Sequence, residues 1–337
     1  MKVLVTGVAG QVGCRLARQL LARNHEVRGA LLADDPLADR VAGLDLELVP
    51  GDLTDAAYVT GLVEGVDAVI HTANLVGPYF ELNTAINLQV SRACGARADR
   101  LERYVYVSSS GVFPNNGENI RCAYHPVDEL HPKRPDNEYS LSKYVGELMA
   151  ERVGRETGLR YTIVRPSHVL SGTKILGQFS VASVVGKLQA SQSIPGTELY
   201  MADGTELWHD IEAAASGPDQ PCSITDEEGR PWLYQPQDAR DIAHCMVCAL
   251  ESDAALGESF NAGAPAPFPY PAGARLIAER RGVEPLEVAV PFQYQYDHCI
   301  TKARSLIGYR PRGDLQTMVA SAFACEAGAT DYTWDGE

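Results

Sequence analysis

The first thirteen residues place the strongest constraint on what this chain can fold into. Lys2 to Thr6 form a short apolar run rich in β-branched residues, which predicts a buried strand. Glycines follow at positions 7, 10 and 13, and a helical pattern with Val12, Leu16 and Leu20 on one face starts beside the last of them. A strand, a glycine turn and a helix start in this order are typical of a dinucleotide-binding site.

Each of the three glycines has a different predicted role in that turn. Gly7 permits the tight turn, Gly10 lets the backbone approach a pyrophosphate, and Gly13 lets the helix lie close to the strand. The free N–H groups at the helix N-terminus then point at the anion. The spacing is G-x-x-G-x-x-G rather than the commoner G-x-G-x-x-G.

Size and charge narrow the class of protein. The 337 residues suffice for one large α/β domain or for a domain with an appendage, and 45% hydrophobic with 22% charged residues is usual for a soluble enzyme. The net charge of −15 disfavours nonspecific binding to nucleic acid and to anionic membranes. No apolar run reaches the length of a transmembrane helix, so no membrane partner is predicted.

The cysteines and the N-terminus favour a cytoplasmic location. The chain starts directly on a strand pattern, so no secretion signal is predicted. The 8 cysteines are scattered, and the one close pair, Cys245 and Cys248, lies in a buried helix pattern. Two further ligands are not apparent near that pair, so no metal site is predicted and the cysteines are expected in the core of a reduced protein.

Strand and helix patterns alternate through about residue 170. This alternation predicts an α/β fold, a Rossmann-type doubly wound parallel sheet with a smaller C-terminal substrate-binding region. The later predicted strands are Glu26 to Leu32, Leu46 to Pro50, Asp67 to His71, Tyr104 to Val107 and Arg160 to Arg165, and the long predicted helices are Phe80 to Ala98 and Glu138 to Arg155.

Domain boundaries follow from where the pattern loosens. We assign residues 1–170, with 238–262 returning to them, to the dinucleotide domain, and residues 171–237 and 263–330 to the substrate-binding region. Residues 195–230 have no clear period, so they are predicted to be either a substrate cover, with Trp208, His209 and Trp232, or a plain surface insertion. The tail from Thr330 is expected to fray.

The end of the second strand bears on cofactor choice. An acid at this position bonds both hydroxyls of the adenosine ribose and repels a 2′-phosphate, whereas an arginine accepts the phosphate. Asp34 and Asp35 follow the strand, while Arg28 lies in its middle. NAD is therefore favoured over NADP.

Tyr139 and Lys143 form the chemically most informative pair. On a helix, positions i and i+4 share one face, so the phenol and the ammonium lie side by side. A free tyrosine titrates near pH 10, and a neighbouring ammonium is expected to lower that pKa. Tyr139 can then take a proton from a substrate hydroxyl, or return it to a carbonyl oxygen, while hydride moves to or from a nicotinamide.

Together these features resemble the extended short-chain dehydrogenase/reductase family, the NAD-dependent epimerase/dehydratase group, over nearly the whole chain. The resemblance rests on T-G-x-x-G-x-x-G from Thr6, G-D-L from Gly51, the H-T-A-N strand end at His71, V-S-S-S-G-V-F from Val107, Y-S-L-S-K from Tyr139, R-P-S from Arg165, A-R-D-I-A from Ala239 and the segment from Lys302 to Pro311.

The resemblance assigns roles to individual residues. Ser109 would bond the reacting oxygen, Tyr139 would move the proton, and Lys143 would also hold the nicotinamide ribose. The predicted cofactor-binding residues are Gly7, Gly10, Gln11, Val12, Gly13, Asp34, Asp52, Leu53, Thr72, Ala73, Asn74, Asn87, Tyr139, Lys143, Pro166 and Ser167. Family members often form homodimers through two helices per subunit, here Phe80 to Ala98 and Glu138 to Arg155.

Departures from the family pattern narrow the reaction. Dehydratases carry T-D-E where this chain has Ser109, Ser110 and Gly111, so elimination of water is disfavoured. Nucleotide-sugar enzymes carry an arginine where this chain has Tyr234, although an insertion could bring Arg230 to the same place. A nucleotide-diphosphate substrate is therefore in doubt.

Three functions are compatible with these patterns. The leading hypothesis is an epimerase that oxidises a secondary hydroxyl of a sugar or nucleotide sugar and then reduces the ketone again. The alternative is a simple NAD(P)-dependent dehydrogenase or ketoreductase acting on a free sugar, a sugar acid or another hydroxyl compound. A redox-inactive dinucleotide-binding regulator is the third, and the intact Tyr139 and Lys143 pair argues against it.

Overall fold

A parallel sheet organises the first half of the chain in the structure, a computed structural model that describes residues 1–114 and 120–334. The strands are β1 (Lys2–Thr6), β2 (Glu26–Leu31), β3 (Glu47–Pro50), β4 (Ala68–His71), β5 (Arg103–Val107), β6 (Tyr161–Pro166), β7 (Val169–Leu170), β8 (Cys222–Asp226), β9 (Leu233–Tyr234), β10 (Gln237–Asp238), β11 (Ser259–Ala262), β12 (Phe268–Pro269), β13 (Leu286–Val290) and β14 (Gln295–Tyr296). Seven of them form the main sheet in the order β11-β6-β5-β4-β1-β2-β3, and all its pairs are parallel. The predicted doubly wound sheet is confirmed.

Helices cover both faces of this sheet. The α-helices of the described residues are α1 (Gly13–Ala22), α2 (Ala56–Leu62), α3 (Phe80–Gly95), α4 (Glu138–Thr157), α5 (Lys174–Gln178), α6 (Val181–Ser191), α7 (Leu207–Ala214), α8 (Ala239–Glu251), α9 (Tyr270–Arg281), α10 (Thr301–Leu306) and α11 (Leu315–Glu326). Side chains of α1 and α8 fill the core on one face, and those of α2, α3 and α4 fill the other. None of the helices in the described part of the chain is long and apolar enough to cross a membrane.

The sequence of β1 explains why it lies in the middle of the sheet. Val3 and Val5 point into one core and Leu4 into the other, and none of the three is exposed. A strand covered by helices on both faces needs apolar residues at every position. The strand order reverses between β1 and β4, and in such folds ligands bind in the crevice beyond the carboxyl ends of the strands at that point.

A second apolar core lies beyond residue 169. Phe179, Trp232, Tyr234, Tyr270 and Tyr294 are all fully buried in it. Its other members include residues of α5, α6, α7, β8, α9, β13 and α11, and none of the described residues before 170 belongs to it. The first core also contains Ile300, Ala303, Ile307 and Tyr309, which lie within the predicted substrate-binding region, and the assignment of residues 171–237 and 263–330 to substrate binding stays a prediction.

The expectation of an irregular stretch over residues 195–230 is wrong. It contains α7, whose Ile211 is buried, and β8, which pairs in parallel with β13. The indole of Trp232 lies inside the second core and donates to the backbone oxygen of Phe292 at 3.2 Å, so Trp232 covers no substrate. A strand whose partner lies so far along the chain leaves no local pattern to detect.

The expectation that the tail frays is also wrong for its described part. Asp331 is buried and pairs with the guanidinium of Arg15 on α1. The guanidinium of Arg240 lies 3.5 Å from the ring centroid of Trp334, which is itself buried. Long-range contacts to α1 and α8 thus hold a segment whose own composition predicts disorder.

Candidate active site

The glycine turn after β1 has the geometry that the sequence predicts. Gly7 adopts a left-handed φ of 66°, and the N–H of Gly10 donates to the oxygen of Gly7 at 2.9 Å. A Cβ at Gly13 would lie 2.2 Å from that oxygen, so only glycine lets α1 begin against the turn. The N-terminus of α1 therefore approaches the end of β1 closely, which is the cradle a dinucleotide pyrophosphate needs.

A cavity of about 1100 Å³ opens beyond the carboxyl ends of β1 and β4. Most of the predicted site residues line it, namely Gly7, Gly10, Gln11, Val12, Gly13, Asp52, Leu53, Thr72, Ala73, Asn74, Ser109, Tyr139, Lys143, Pro166 and Ser167. One cavity thus joins the glycine turn to the Tyr139 and Lys143 pair. Its residues fit a dinucleotide with the pyrophosphate at the turn and the nicotinamide at the pair.

Two predicted cofactor residues lie elsewhere. Asp34 is exposed and outside the cavity wall, where Asp35 stands instead, and the Asp35 carboxylate accepts from the N–H of Leu37 at 2.9 Å. Asn87 is fully buried behind the wall. Its contacts assign it to the support of the site.

Asn87 belongs to a chain of hydrogen bonds that joins β1 to α4. His71 contacts the Thr6 hydroxyl through Nδ1 at 2.7 Å and the oxygen of Asn87 through Nε2 at 3.0 Å. The Asn87 amide donates to the backbone oxygen of Ser142 at 3.3 Å. Burial lowers the pKa of His71 to about 3, with a smaller effect from the Lys143 charge, so the imidazole is neutral and can accept from the Thr6 hydroxyl.

The three predicted catalytic residues come together at the deep end of the cavity. Ser109 follows β5, and its hydroxyl accepts from the N–H of Gly111 at 3.1 Å and also bonds Tyr139. Asn137 caps α4 by accepting from the N–H of Ser140, which fixes the first turn that carries Tyr139. Lys143 is buried one turn later and donates to the backbone oxygen of Val107 at 2.7 Å.

The prediction that the Lys143 ammonium lowers the pKa of Tyr139 is wrong in this arrangement. Burial raises the pKa of Tyr139, and the hydrogen bond from Ser109 only partly offsets that rise. Burial also lowers the pKa of Lys143 to about 7, against the opposing charge of Glu147. The reason is geometric, because the Lys143 ammonium lies 5.9 Å from the centre of the Tyr139 ring and is directed at Val107.

A buried ion pair beneath Lys143 is a part of the site that sequence reasoning missed. Glu147 accepts from Arg165 at 2.7 and 2.9 Å and from the Ser108 hydroxyl at 2.6 Å. Both charged side chains are almost completely buried. Glu147 stands four residues after Lys143 on the same helix face, and this spacing could have predicted that its carboxylate lies near the Lys143 ammonium.

Aromatic side chains and the Lys187 ammonium form another part of the cavity wall. Tyr296 lies with its hydroxyl 3.1 Å from the Ser110 hydroxyl and accepts from the N–H of His168 at 2.9 Å. The Lys187 ammonium lies 5.8 Å from the ring centre of Tyr234. These residues line the same cavity as Tyr139, and their positions in loops and short elements gave no transferable sequence signal.

The end of β2 allows a test of cofactor choice. No lysine or arginine stands among the described wall residues at this end, which include Leu31, Leu32 and Asp35. Leu32 is 56% exposed, so Leu32→Arg should reach the ribose side and improve NADP binding about tenfold or more through charged hydrogen bonds. Titration of both dinucleotides measures this change. Leu48→Arg, on β3 and outside the wall, is the matched control; equal NADP gains in both variants would contradict the placement.

Comparison with known proteins agrees with this site. The model of the NAD dependent epimerase/dehydratase family matches residues 3–263. A short-chain dehydrogenase/reductase superfamily protein from Agrobacterium tumefaciens, solved with bound NAD, has a TM-score of 0.77, 25% identity and 97% coverage of both chains. UDP-glucuronic acid 4-epimerase from Bacillus cereus, in complex with NAD, has a TM-score of 0.69 and 19% identity over 96% of this chain and 98% of its own.

Curated relatives match over a shorter stretch. Sterol demethylase protein B from Methylococcus capsulatus is 32% identical over 182 residues, which are 50% of this chain and 52% of the relative. Uronate dehydrogenase from Pseudomonas putida is 34% identical over 169 residues, or 46% and 58% of the two chains. The chain thus spans about half the length of the curated relatives it matches. With the family match and the NAD cradle together, the chain belongs to the NAD-dependent epimerase/dehydratase family of extended short-chain dehydrogenase/reductase enzymes.

Proposed function

We propose that this enzyme oxidises a secondary hydroxyl of a small, carbohydrate-type substrate with NAD. The observation that carries the proposal is the position of Ser109, Tyr139 and Lys143 at the end of the dinucleotide cavity. Bound NAD⁺ supplies the hydride acceptor there. The family relationship supports sugar-type substrates, since epimerases and dehydrogenases of sugars are among the relatives.

The residues around the reacting hydroxyl have different roles in the proton transfer. The Ser109 hydroxyl is placed to bond the reacting oxygen, and the Tyr139 phenolate takes the hydroxyl proton as the C–H bond breaks. Glu147 opposes the effect of burial on Lys143, so part of the lysine population stays charged beside the site. The neutral His71 and Asn87 hold α4 in register with the glycine turn.

Epimerisation, the leading hypothesis from the sequence, needs a second hydride transfer to the opposite face of a retained ketone. For a nucleotide sugar it also needs a group that holds the diphosphate. Arg230 pairs with Asp226 and Glu228, and no arginine is found among the described residues of the cavity wall. Lys174 and Lys187 also line the cavity, so the missing arginine counts only against the diphosphate contact that an arginine would make, and it motivates a test of the alternative, net oxidation of a compact substrate without a nucleotide.

The position of Lys187 favours an acidic substrate for this net oxidation. Its ammonium lies over the rings of Tyr234 and Tyr294, 5.8 and 5.6 Å from their centres, and Lys187 lines the cavity. An ammonium in an aromatic wall pairs well with a carboxylate of the substrate. We therefore propose a sugar acid as the first substrate class to test.

Turnover with and without excess NAD⁺ separates the two reactions. Net oxidation predicts one NADH released for each sugar acid consumed, with no reaction when NAD⁺ is withheld. Epimerisation predicts a diastereomer that accumulates with only enzyme-bound NAD and no net NADH. A panel of uronic acids, free aldoses and UDP-sugars should be assayed for both products, and no conversion of any member would contradict the proposed function.

Lys187→Met tests the sugar acid directly. The variant should raise KM for a uronic acid about 10- to 100-fold, because a charged hydrogen bond contributes about 1.5–3 kcal/mol. The KM for the corresponding neutral aldose should change little, and Lys187→Arg should restore much of the affinity. Steady-state kinetics on the matched pair of substrates gives the answer, and equal changes for both would exclude a carboxylate contact.

We also propose the homodimer through α3 and α4. Leu141 and Leu148 on α4 are 40% and 46% exposed, and a second copy packed on these helices would cover them. Sedimentation velocity measures the mass in solution. A monomer at micromolar concentration would contradict this assembly.

A further inference from the structure

A cluster of metal-binding side chains lies outside the cavity wall. Three separate segments of the chain meet there, contributing Cys122 and His125, Glu198, and Asp297. The His125 ring contacts the Asp297 carboxylate through Nδ1 at 2.6 Å and the Glu198 carboxylate through Nε2 at 3.0 Å. None of these residues lines the NAD and substrate cavity.

The donor atoms of three of these residues are close enough to share one ion. Single donor atoms of Cys122, His125 and Glu198 all lie within 4.8 Å of one another. Zinc bonds of about 2.0–2.1 Å to nitrogen and oxygen at a tetrahedral angle imply a separation of roughly 3.3 Å, so the 3.0 Å between His125 and Glu198 needs only a small adjustment. Sulfur with imidazole and carboxylate is a donor set that suits Zn²⁺ and is unsuited to Mg²⁺ or Ca²⁺.

We propose that Cys122, His125 and Glu198 bind a zinc ion, with the fourth coordination position open to water or another ligand. Asp297 does not bind the ion but accepts from Nδ1–H of His125, which fixes the ring and directs Nε2 at the metal. Metal-binding histidines usually donate the other ring N–H to a carboxylate, a backbone oxygen or water, and Asp297 provides the first of these. The side chains of His125, Glu198 and Asp297 remain 17%, 11% and 12% exposed, so an ion can reach the cluster from solvent.

Metal binding replaces two protons of the cluster. The thiol of Cys122 donates to the backbone oxygen of Pro114 at 3.3 Å, and zinc would displace that proton and the one between His125 and Glu198. The thiolate and the Glu198 carboxylate then neutralise the ion. The competing interpretation is an imidazolium held between two carboxylates, with Cys122 as a further hydrogen-bond partner of His125, which needs no metal.

The proposed ion would stabilise one wall of the active-site cavity. Asp297 follows Tyr296, whose hydroxyl contacts Ser110 and His168 at the substrate end. The backbone oxygen of Asp297 also accepts from the N–H of Val127 at 3.0 Å, in the segment that carries His125. A zinc ion at this position would therefore hold together the segments behind Tyr296.

Zinc affinity of the tag-free, full-length protein tests the site. After dialysis against chelator, competition with a zinc indicator should give one tight equivalent per chain in the wild type. Cys122→Ser should weaken this binding at least about 100-fold, and Asp297→Asn about 10- to 100-fold. Cys248→Ser is the matched control, because Cys248 also contacts a histidine, His244, at 3.5 Å but belongs to no such cluster within residues 1–114 and 120–334. Equal affinity in the wild type and Cys122→Ser would overturn the proposal.

Cobalt substitution identifies the ligands even if a variant folds poorly. Co²⁺ bound by the wild type should show a thiolate-to-metal charge-transfer band and the visible bands of a tetrahedral ion. Glu198→Gln should keep the charge-transfer band but bind Co²⁺ more weakly. Cobalt bound without a thiolate band, or no cobalt bound at all by the folded wild type, would reject the zinc site. His125 would then be an imidazolium that bridges the carboxylates of Asp297 and Glu198.

Discussion

Tyr139→Phe is expected to lower kcat for oxidation by about 10²- to 10⁴-fold, the usual contribution of a positioned general base. NAD affinity should change little, because the pyrophosphate cradle at Gly7, Gly10 and Gly13 is untouched. Stopped-flow NADH formation at saturating substrate measures the loss. Tyr144→Phe, on the same helix, is the matched control and should retain nearly full activity. A Tyr139→Phe enzyme within about twofold of the wild type would contradict the assigned role.

The pH dependence of the wild type gives this prediction a second readout. Burial raises the pKa of Tyr139, so the phenolate is a minor species at neutral pH. The oxidation rate should therefore increase with pH through the neutral and mildly alkaline range, by up to about tenfold per unit, and reduction should show the opposite trend. Residual activity of Tyr139→Phe should lack this slope.

Glu147→Gln is expected to destabilise the fold by about 3–5 kcal/mol, because it leaves the Arg165 guanidinium buried without its carboxylate. Urea denaturation measures the change in the free energy of unfolding. Glu156→Gln is the matched control, since Glu156 pairs with Arg152 on the same helix but both side chains are exposed, and such pairs contribute about 1 kcal/mol or less.

A double variant separates the charge from the packing at this position. Glu147→Leu with Arg165→Met removes both charges and should recover much of the lost stability. It should not recover activity, because Glu147 also opposes the effect of burial on the pKa of Lys143. A loss in Glu147→Gln no larger than in Glu156→Gln would show that the pair does not support the site.

The parts of the fold that depend on local signals could be predicted. The apolar run of β1, the glycine turn and the start of α1 lie within a few residues of one another, so the residue pattern is sufficient to predict their local structure. The same holds for Tyr139 and Lys143, because one helix sets their spacing. The resemblance to family motifs also predicted site roles for Ser109 and for the residues at the ends of β4 and β6.

The parts that depend on distant partners could not be predicted. The β8 strand needs β13, and the tail is held because Asp331 finds Arg15 across the fold. At the site, the adjacent acids Asp34 and Asp35 could not be told apart without the turn geometry. The expected acidification of Tyr139 failed for a similar reason, since sequence spacing places Lys143 on the correct face but does not show that its ammonium bonds the Val107 oxygen.

The most direct test of the central claim is a crystal structure of the protein with NAD⁺. We expect the pyrophosphate to lie on the N–H groups at the start of α1, the ribose of adenosine beside Asp35 and Leu32, and the nicotinamide within reach of the Tyr139 hydroxyl. A dinucleotide bound elsewhere, or a Tyr139 ring turned away from the nicotinamide in the complex, would contradict it.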